Sequence, residues 1–169
     1  KELNFNGDRS YKMNATIQKI IDDLQLEAHP EGGFFIETYR STEILVNQDR
    51  NLMTSIYFLL TSENVSKFHQ IKSDELWYFH SGSPLVVHML SEKGHEELII
   101  GNDFSKGQRP YGMVPKESIF GSCVLEENSY SLVSCAVAPG FDFRDFKLFT
   151  KAELMQHYAA FEDIIDKLT

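Results

Sequence analysis

The chain has 169 residues, 42% of them apolar and 24% charged, which is the profile of one ordinary globular domain and excludes a disordered or collagen-like chain. At this length folding buries roughly 70% of the surface exposed by the unfolded chain, so a core needs no disulfide or structural metal. Sixteen Lys and Arg against 25 Asp and Glu give a net charge of -9, a field that repels phosphate backbones and anionic lipid, so neither nucleic acid nor a membrane is expected as a partner.

The first expected element is an amphipathic helix from Asn14 to Leu26, because Ile17, Ile20, Ile21 and Leu24 recur at i, i+3, i+4 and i+7 and Asn14 is placed to cap them. Residues 1–26 are thus read as a tail and a helix. Lys1 to Lys12 is polar with no apolar signal core, and no apolar run approaches the ~20 residues of a membrane helix, so a cytoplasmic protein is expected. His29-Pro30-Glu31-Gly32-Gly33 then breaks the helix, since Pro30 disfavours helical geometry at His29 and the paired glycines permit a tight bend.

Residues 27–149 form the expected β-barrel, an all-β core. Short aromatic and β-branched runs cover Phe34 to Tyr39, Thr54 to Leu60, Leu76 to Phe79, Leu85 to Leu90, Glu97 to Ile100, Tyr111 to Val114, Ser118 to Leu125, Ser131 to Ala138 and Phe141 to Phe149. Gly, Pro, Asn and Asp punctuate them, the pattern of a sandwich or barrel. Runs such as Ile56 to Leu60 are apolar on both parities, so their outer face needs cover from helices or from a second copy, and a homodimer is expected. Residues 150–169 return to helical periodicity behind the capping-box spacing of Thr150 and Glu153. Cys123 and Cys135 sit singly in strand-like contexts and read as buried thiols, without the spacing of a zinc or redox motif.

Chemistry concentrates between Phe68 and Gly82. If Glu75 opens a strand, alternation places Glu75, Trp77 and Phe79 on one face, and a carboxylate among aromatics must pair or raise its pKa. His69, a few residues earlier, is the candidate base, with Glu75 to orient it. Arg40, ending a run behind Glu37 and Tyr39, is a candidate carrier of an anionic group, as are Lys72, Arg109 and Arg144. Each of these cations has surface ion pairing as its plainer role.

His69, Glu75 and Gly82 occupy the first His, the Glu and the final Gly of the first motif of the cupin superfamily, which this segment resembles; Ile71 replaces its second His and Glu63 its opening Gly. The second cupin motif aligns only at Pro115, with Arg109, Glu117, Phe120 and Val124 at its other named positions. His29 to Phe35, Ser73 to Trp77, Val114-Pro115 and Val137 to Phe146 resemble, in order, a family of small single-domain cupins. The resemblance implies a double-stranded β-helix (jelly roll) with flanking N- and C-terminal helices, a homodimer, and a pocket in the barrel mouth. Some such proteins carry the label of predicted sugar epimerase, by likeness to nucleotide-sugar epimerases that work without metal, a motif His serving as base and a Tyr as acid.

With Ile71 and Phe120 at two of the usual four ligand positions, neither a metal nor another cofactor is expected. His80 and His88 are the imidazoles nearest in sequence that could replace the missing ligands. His69 and Glu75 are therefore the candidate catalytic pair, and Glu37, Tyr39, Arg40, Trp77 and Phe120 the candidate ligand-binding residues. Tyr39, Tyr57, Tyr78, Tyr111 and Tyr130 all remain open as the acid. The expected ligand is a small polar or anionic metabolite, such as a sugar or nucleotide sugar, which the protein isomerises or epimerises. A binding or sensor module without chemistry is the rival reading, and a metal-dependent cupin enzyme the third.

Overall fold

Strands with apolar side chains on alternate positions can bury them by stacking two sheets face to face, and this chain does so. The computed structural model describes residues 5–169, with side chains from residue 13 onward; the first four residues of the expected tail lie outside the described residues. Helix α1 spans Phe5–Leu24, and Ile17, Ile20, Ile21 and Leu24 form its half-buried stripe. The strands are β1 Glu27–Ala28, β2 Phe34–Arg40, β3 Ile44–Leu45, β4 Arg50–Asn51, β5 Thr54–Thr61, β6 Val65–Gln70, β7 Asp74–Gly82, β8 Leu85–Ser91, β9 Gly94–Ile100, β10 Tyr111–Val114, β11 Ile119–Val124, β12 Tyr130–Ala138 and β13 Lys147–Leu148. Helices α2 (Lys151–Tyr158) and α3 (Glu162–Lys167) follow, joined by a 3₁₀ turn.

The larger sheet runs β1-β2-β5-β12-β7-β10 and the smaller β13-β6-β11-β8-β9, all neighbours antiparallel; β3 and β4 make a separate hairpin. This is the expected jelly roll. Phe58, Trp77, Val87, Phe120 and Val133 fill the space between the sheets. The smaller sheet is also apolar outside, where Phe68, Val86, Leu90 and Cys123 are covered by Leu154, Ile165 and Leu168 from the C-terminal helices. Two-sided apolarity there is explained within one chain. On the larger sheet the outer face keeps Tyr78, Tyr111 and Met113 exposed. No helix among the described residues is long and apolar enough to cross a membrane.

Three expectations are corrected. Helix α1 continues upstream through Asn14, which is an exposed mid-helix residue and not its cap. Strand β6 was not among the expected runs: Ser66, Lys67 and Gln70 interrupt its apolar pattern, and Ser66 is buried by bonding to Glu31, which removes the reason for alternation. Phe141 to Phe149 is not one strand. Asp142 caps a 3₁₀ turn, Phe143–Asp145, by accepting from the Arg144 amide, and only Lys147–Leu148 pairs, with β6. In place of a strand, Phe141, Phe143 and Phe146 form a cluster in which the three rings pack edge to face.

The turn His29–Gly33 closes on itself through the His29 amide to the Gly33 carbonyl (2.9 Å) and the Gly32 amide to the His29 carbonyl (3.0 Å). Gly32 has φ of +112°, and a Cβ there would strike the Val65 carbonyl oxygen of β6. Gly32→Ala is expected to cost roughly 2–4 kcal/mol, the sum of backbone strain and a backbone collision that cannot relax through a side chain. Urea unfolding of the variant against the parent measures it.

Candidate functional site in the barrel

The mouth of the barrel encloses a cavity of about 400 Å³. Its floor is polar: His29 and Glu31 from the β1–β2 turn, His69 from β6, Glu75 from β7 and Cys135 from β12. Its upper wall is aromatic, formed by Phe35, Phe141, Phe143 and Phe146. Strand parity delivers the floor. Glu75 shares the inward face of β7 with Trp77, and Cys135 is the partner of Trp77 on β12, so thiol and carboxyl stand diagonally side by side.

His69 is 3% exposed, its ring tilted on Phe120 (4.1 Å between centroids) and stacked on Phe146 (5.4 Å). Its Nδ1 lies 2.7 Å from the Lys67 carbonyl oxygen and 3.1 Å from Glu31 Oε2. A carbonyl only accepts, so Nδ1 carries the proton and Nε2 keeps a lone pair, available to the cavity that the ring lines. His29 takes the other tautomer: its Nδ1 accepts from the Glu31 amide at 3.2 Å, which puts its proton on Nε2. Ser66 Oγ donates to Glu31 Oε1 at 2.9 Å.

Burial sets the charge states of these groups. It pushes the Glu31 carboxyl up to about 8, against a partly opposing hydrogen bond from Ser66. It pushes Glu75 up to about 7, although the nearby His69 works the other way. It lowers His29 to about 4 and lowers His69 as well, the latter against Glu75 and the Lys67 carbonyl, which favour its charged form. The Cys135 thiol is raised well above its ordinary value by burial and by Glu75. The 3.1 Å contact between His69 and Glu31 therefore has ion-pair spacing but joins groups that desolvation drives toward neutrality, while the Nδ1 proton itself goes to the Lys67 carbonyl.

At the rim, Glu37 and Arg40 line the cavity and hold each other through two bonds of 2.9 and 2.7 Å. Arg40 also donates to Asn51 Oδ1 (2.8 Å) and to the Phe141 carbonyl, tying β2 to the aromatic wall. Arg50 grips Asp145 in a two-point bond of 2.7 and 2.9 Å and fixes the same wall from below.

The other expected ligand-binding residues lie elsewhere. Tyr39 is 52% exposed, because a β-bulge between Glu37 and Tyr39 turns it off the inner face. Trp77 and Phe120 line no part of the cavity; they pack with Phe58 in the core behind it, Phe120 supporting the His69 ring. None of the five candidate acids, Tyr39, Tyr57, Tyr78, Tyr111 and Tyr130, lines the cavity either. Lys72, Arg109 and Arg144 also stay outside it.

His29, Glu31 and Cys135 were missed as site residues. His29 and Glu31 sit in a stretch that reads as turn chemistry, and only the resemblance through His29 to Phe35 marked it. Cys135 reads as an ordinary buried thiol.

The metal that the fold family implies does not fit this floor. Ile71, part of the cavity wall, and Phe120 stand where two ligands would be. Among the described residues, no three donor atoms from His29, Glu31, His69, Glu75 and Cys135 lie within 4.8 Å of one another. His80 is on the outer face of the larger sheet, bonded to Ser134, and His88 is on the outer face of the smaller one. Neither can replace the missing ligands.

The two antiparallel sheets and the polar cavity between them have the architecture of a cupin barrel. The chain belongs to the family described as cupin superfamily (DUF985), whose model matches residues 18–149. It is 28% identical over 163 residues to an uncharacterised protein of Saccharomyces cerevisiae, covering 85% of this chain and 80% of that one. A crystal structure of a Shewanella oneidensis protein superposes with a TM-score of 0.85 at 42% identity, covering 89% of this chain and 95% of that one. A hypothetical protein from Leishmania major gives 0.85 at 37% identity, with 90% and 97% covered. Oxalate decarboxylase of Bacillus subtilis shares the fold alone: a TM-score of 0.56 at 16% identity over 88% of this chain and 38% of that one.

The floor makes stability depend on pH in a defined direction. Glu31, at about 8, holds its proton more tightly in the fold than when unfolded, so its contribution is complete below about pH 4.5 and is lost as pH rises toward 8. His29 and His69, both lowered, act oppositely, but only below about pH 6.5. Between about pH 6.5 and 8 the carboxyls prevail, and the parent should lose about 1–2 kcal/mol. Urea midpoints across this window are expected to fall for the parent and to stay much flatter for Glu31→Gln. A midpoint that rises with pH in the parent would contradict these charge states.

Proposed function

We propose that this cupin is a metal-independent acid/base enzyme that isomerises or epimerises a small polar carbonyl metabolite of the sugar class. The observation that carries this reading is the bond of His69 Nδ1 to the Lys67 carbonyl, which leaves Nε2 a neutral lone pair on a cavity floor shared with two carboxyls displaced toward neutral pH. A base and a proton donor are then present together at pH 7, which proton transfer requires.

In this reading Nε2 of His69 takes a proton from the carbon next to the carbonyl. Glu75, in its protonated form, gives its proton to the carbonyl oxygen as the enol forms. Return of the proton from the His69 imidazolium to the neighbouring carbon, with the adjacent enediol hydroxyl giving its proton to the Glu75 carboxylate, isomerises the substrate; delivery of a proton to the other face of the same carbon from the protonated Glu31 carboxyl, with the enol proton returning to Glu75, epimerises it. A carboxyl replaces the Tyr of the metal-free epimerases, in keeping with a cavity that no Tyr lines.

Ligand charge is also restricted. Among the described residues Arg40 is the only Lys or Arg lining the cavity, and both of its edges are already engaged by Glu37, Asn51 and Phe141. A neutral or singly charged sugar derivative therefore suits the site better than a nucleotide diphosphate sugar. The aromatic wall complements the apolar face of a pyranose ring.

A thermal-shift screen of sugars, sugar acids and sugar nucleotides, followed by exchange in deuterated water on each hit, tests this. Deuterium should enter at the carbon beside the carbonyl, and His69→Asn should slow its entry by roughly 10²-fold or more while retaining binding. Genuine binders that exchange nothing, or exchange equally fast with His69→Asn, would identify a binding module instead.

A further inference from the structure

Outside the barrel, on the face of the smaller sheet covered by the C-terminal helices, three ligand-type side chains converge. Glu97 is the direct partner of His88 across the β8–β9 ladder, and His95, two residues from Glu97, shares its face. His88 Nδ1 lies 2.9 Å from His95 Nε2 and 3.4 Å from Glu97 Oε1, and His95 Nε2 lies 3.9 Å from the same oxygen. We propose that His88, His95 and Glu97 form a binding site for a first-row divalent cation such as Zn²⁺, separate from the cavity and its chemistry.

The distances suit that role. Bonds of ~2.0–2.1 Å in a tetrahedron separate neighbouring ligand atoms by about 3.3 Å, and the three observed separations bracket this value. Two imidazoles and one carboxylate are a borderline donor set, which selects Zn²⁺ and its neighbours over Ca²⁺ or Mg²⁺. The buried ring is supported from behind: His88 Nε2 stands 3.5 Å from Cys123 Sγ, so its proton can face the sulfur while Nδ1 turns its lone pair outward.

Glu97 is about half exposed and the cluster opens into a surface groove beside α3, so a cation and a water as fourth ligand have access. The charged groups of α3 lining that groove are Glu162, which Lys151 of α2 already pairs at 3.0 Å, Asp163 and Lys167; Asp163 offsets Lys167, and Glu97 supplies the charge that favours a cation. Two facing imidazole nitrogens 2.9 Å apart otherwise share a single proton. On binding, His95 moves that proton to its Nδ1 and remains a neutral imidazole, so both facing lone pairs go to the ion.

Equilibrium competition for Zn²⁺ against a chromophoric chelator tests the site on the intact chain. One Zn²⁺ per chain is expected, and His95→Ala and Glu97→Gln should each weaken it tenfold or more. His69→Asn, in the barrel, should leave binding unchanged, which separates this site from the cavity. His95 and Glu97 are chosen because both reach solvent, whereas loss of buried His88 risks the fold; circular dichroism verifies that each variant is folded. Absence of binding in the micromolar range, a loss below tenfold in either variant, or dependence on His69 would each overturn the proposal.

Discussion

Withdrawing two carboxyls and two imidazoles from water into one barrel floor is the constraint on which the rest of the site depends. An isolated buried charge is so costly that such groups shift their pKa values and neutralise. Here burial moves the carboxyls up and the imidazoles down, which lowers the charge held on the floor near neutral pH. The surrounding backbone supplies hydrogen-bond partners: the Lys67 carbonyl takes the proton of His69, and the Glu31 amide donates to His29. Removing any one of these partners would leave a polar group buried and unpaired.

The fold supplies this arrangement by joining segments distant in sequence. Residues 29–31 come from a turn locked by Gly32, His69 from the smaller sheet, and Glu75 and Cys135 from neighbouring strands of the larger one. The aromatic wall is held by a hydrogen bond from Arg40 to the Phe141 carbonyl and by the ion pair of Arg50 with Asp145. Glu31, His69 and Glu75 in the cavity are buried, which strengthens each hydrogen bond they make, while Phe35, Phe141 and Phe146 supply its apolar wall. Reactivity and packing thus draw on the same residues, with Phe120 serving the core while it supports the His69 ring.

Much of this was legible from residues alone. Period-2 alternation placed Glu75 on the face of Trp77, and the capping box of Thr150 and Glu153 forms as its spacing implies. Other features were hidden because their cause is tertiary. His29 and Glu31 lie in a stretch dominated by Pro and Gly signals, and their role depends on Ser66, Lys67 and His69 from another sheet. Phe141 to Phe146 alternates like a strand, yet the local bond from Asp142 to the Arg144 amide and the grip of Arg50 on Asp145 override that pattern. Trp77 and Phe120 look like binding aromatics in sequence, and only the position of the opposite sheet makes them core.

The most direct test of the account is the protonation state of His69, read from the ¹⁵N chemical shifts of its two ring nitrogens at neutral pH. A neutral ring protonated at Nδ1, with the shift of Nε2 that of an unprotonated nitrogen, is predicted. An imidazolium at pH 7, or a proton on Nε2, would contradict it and remove the base from the proposed chemistry.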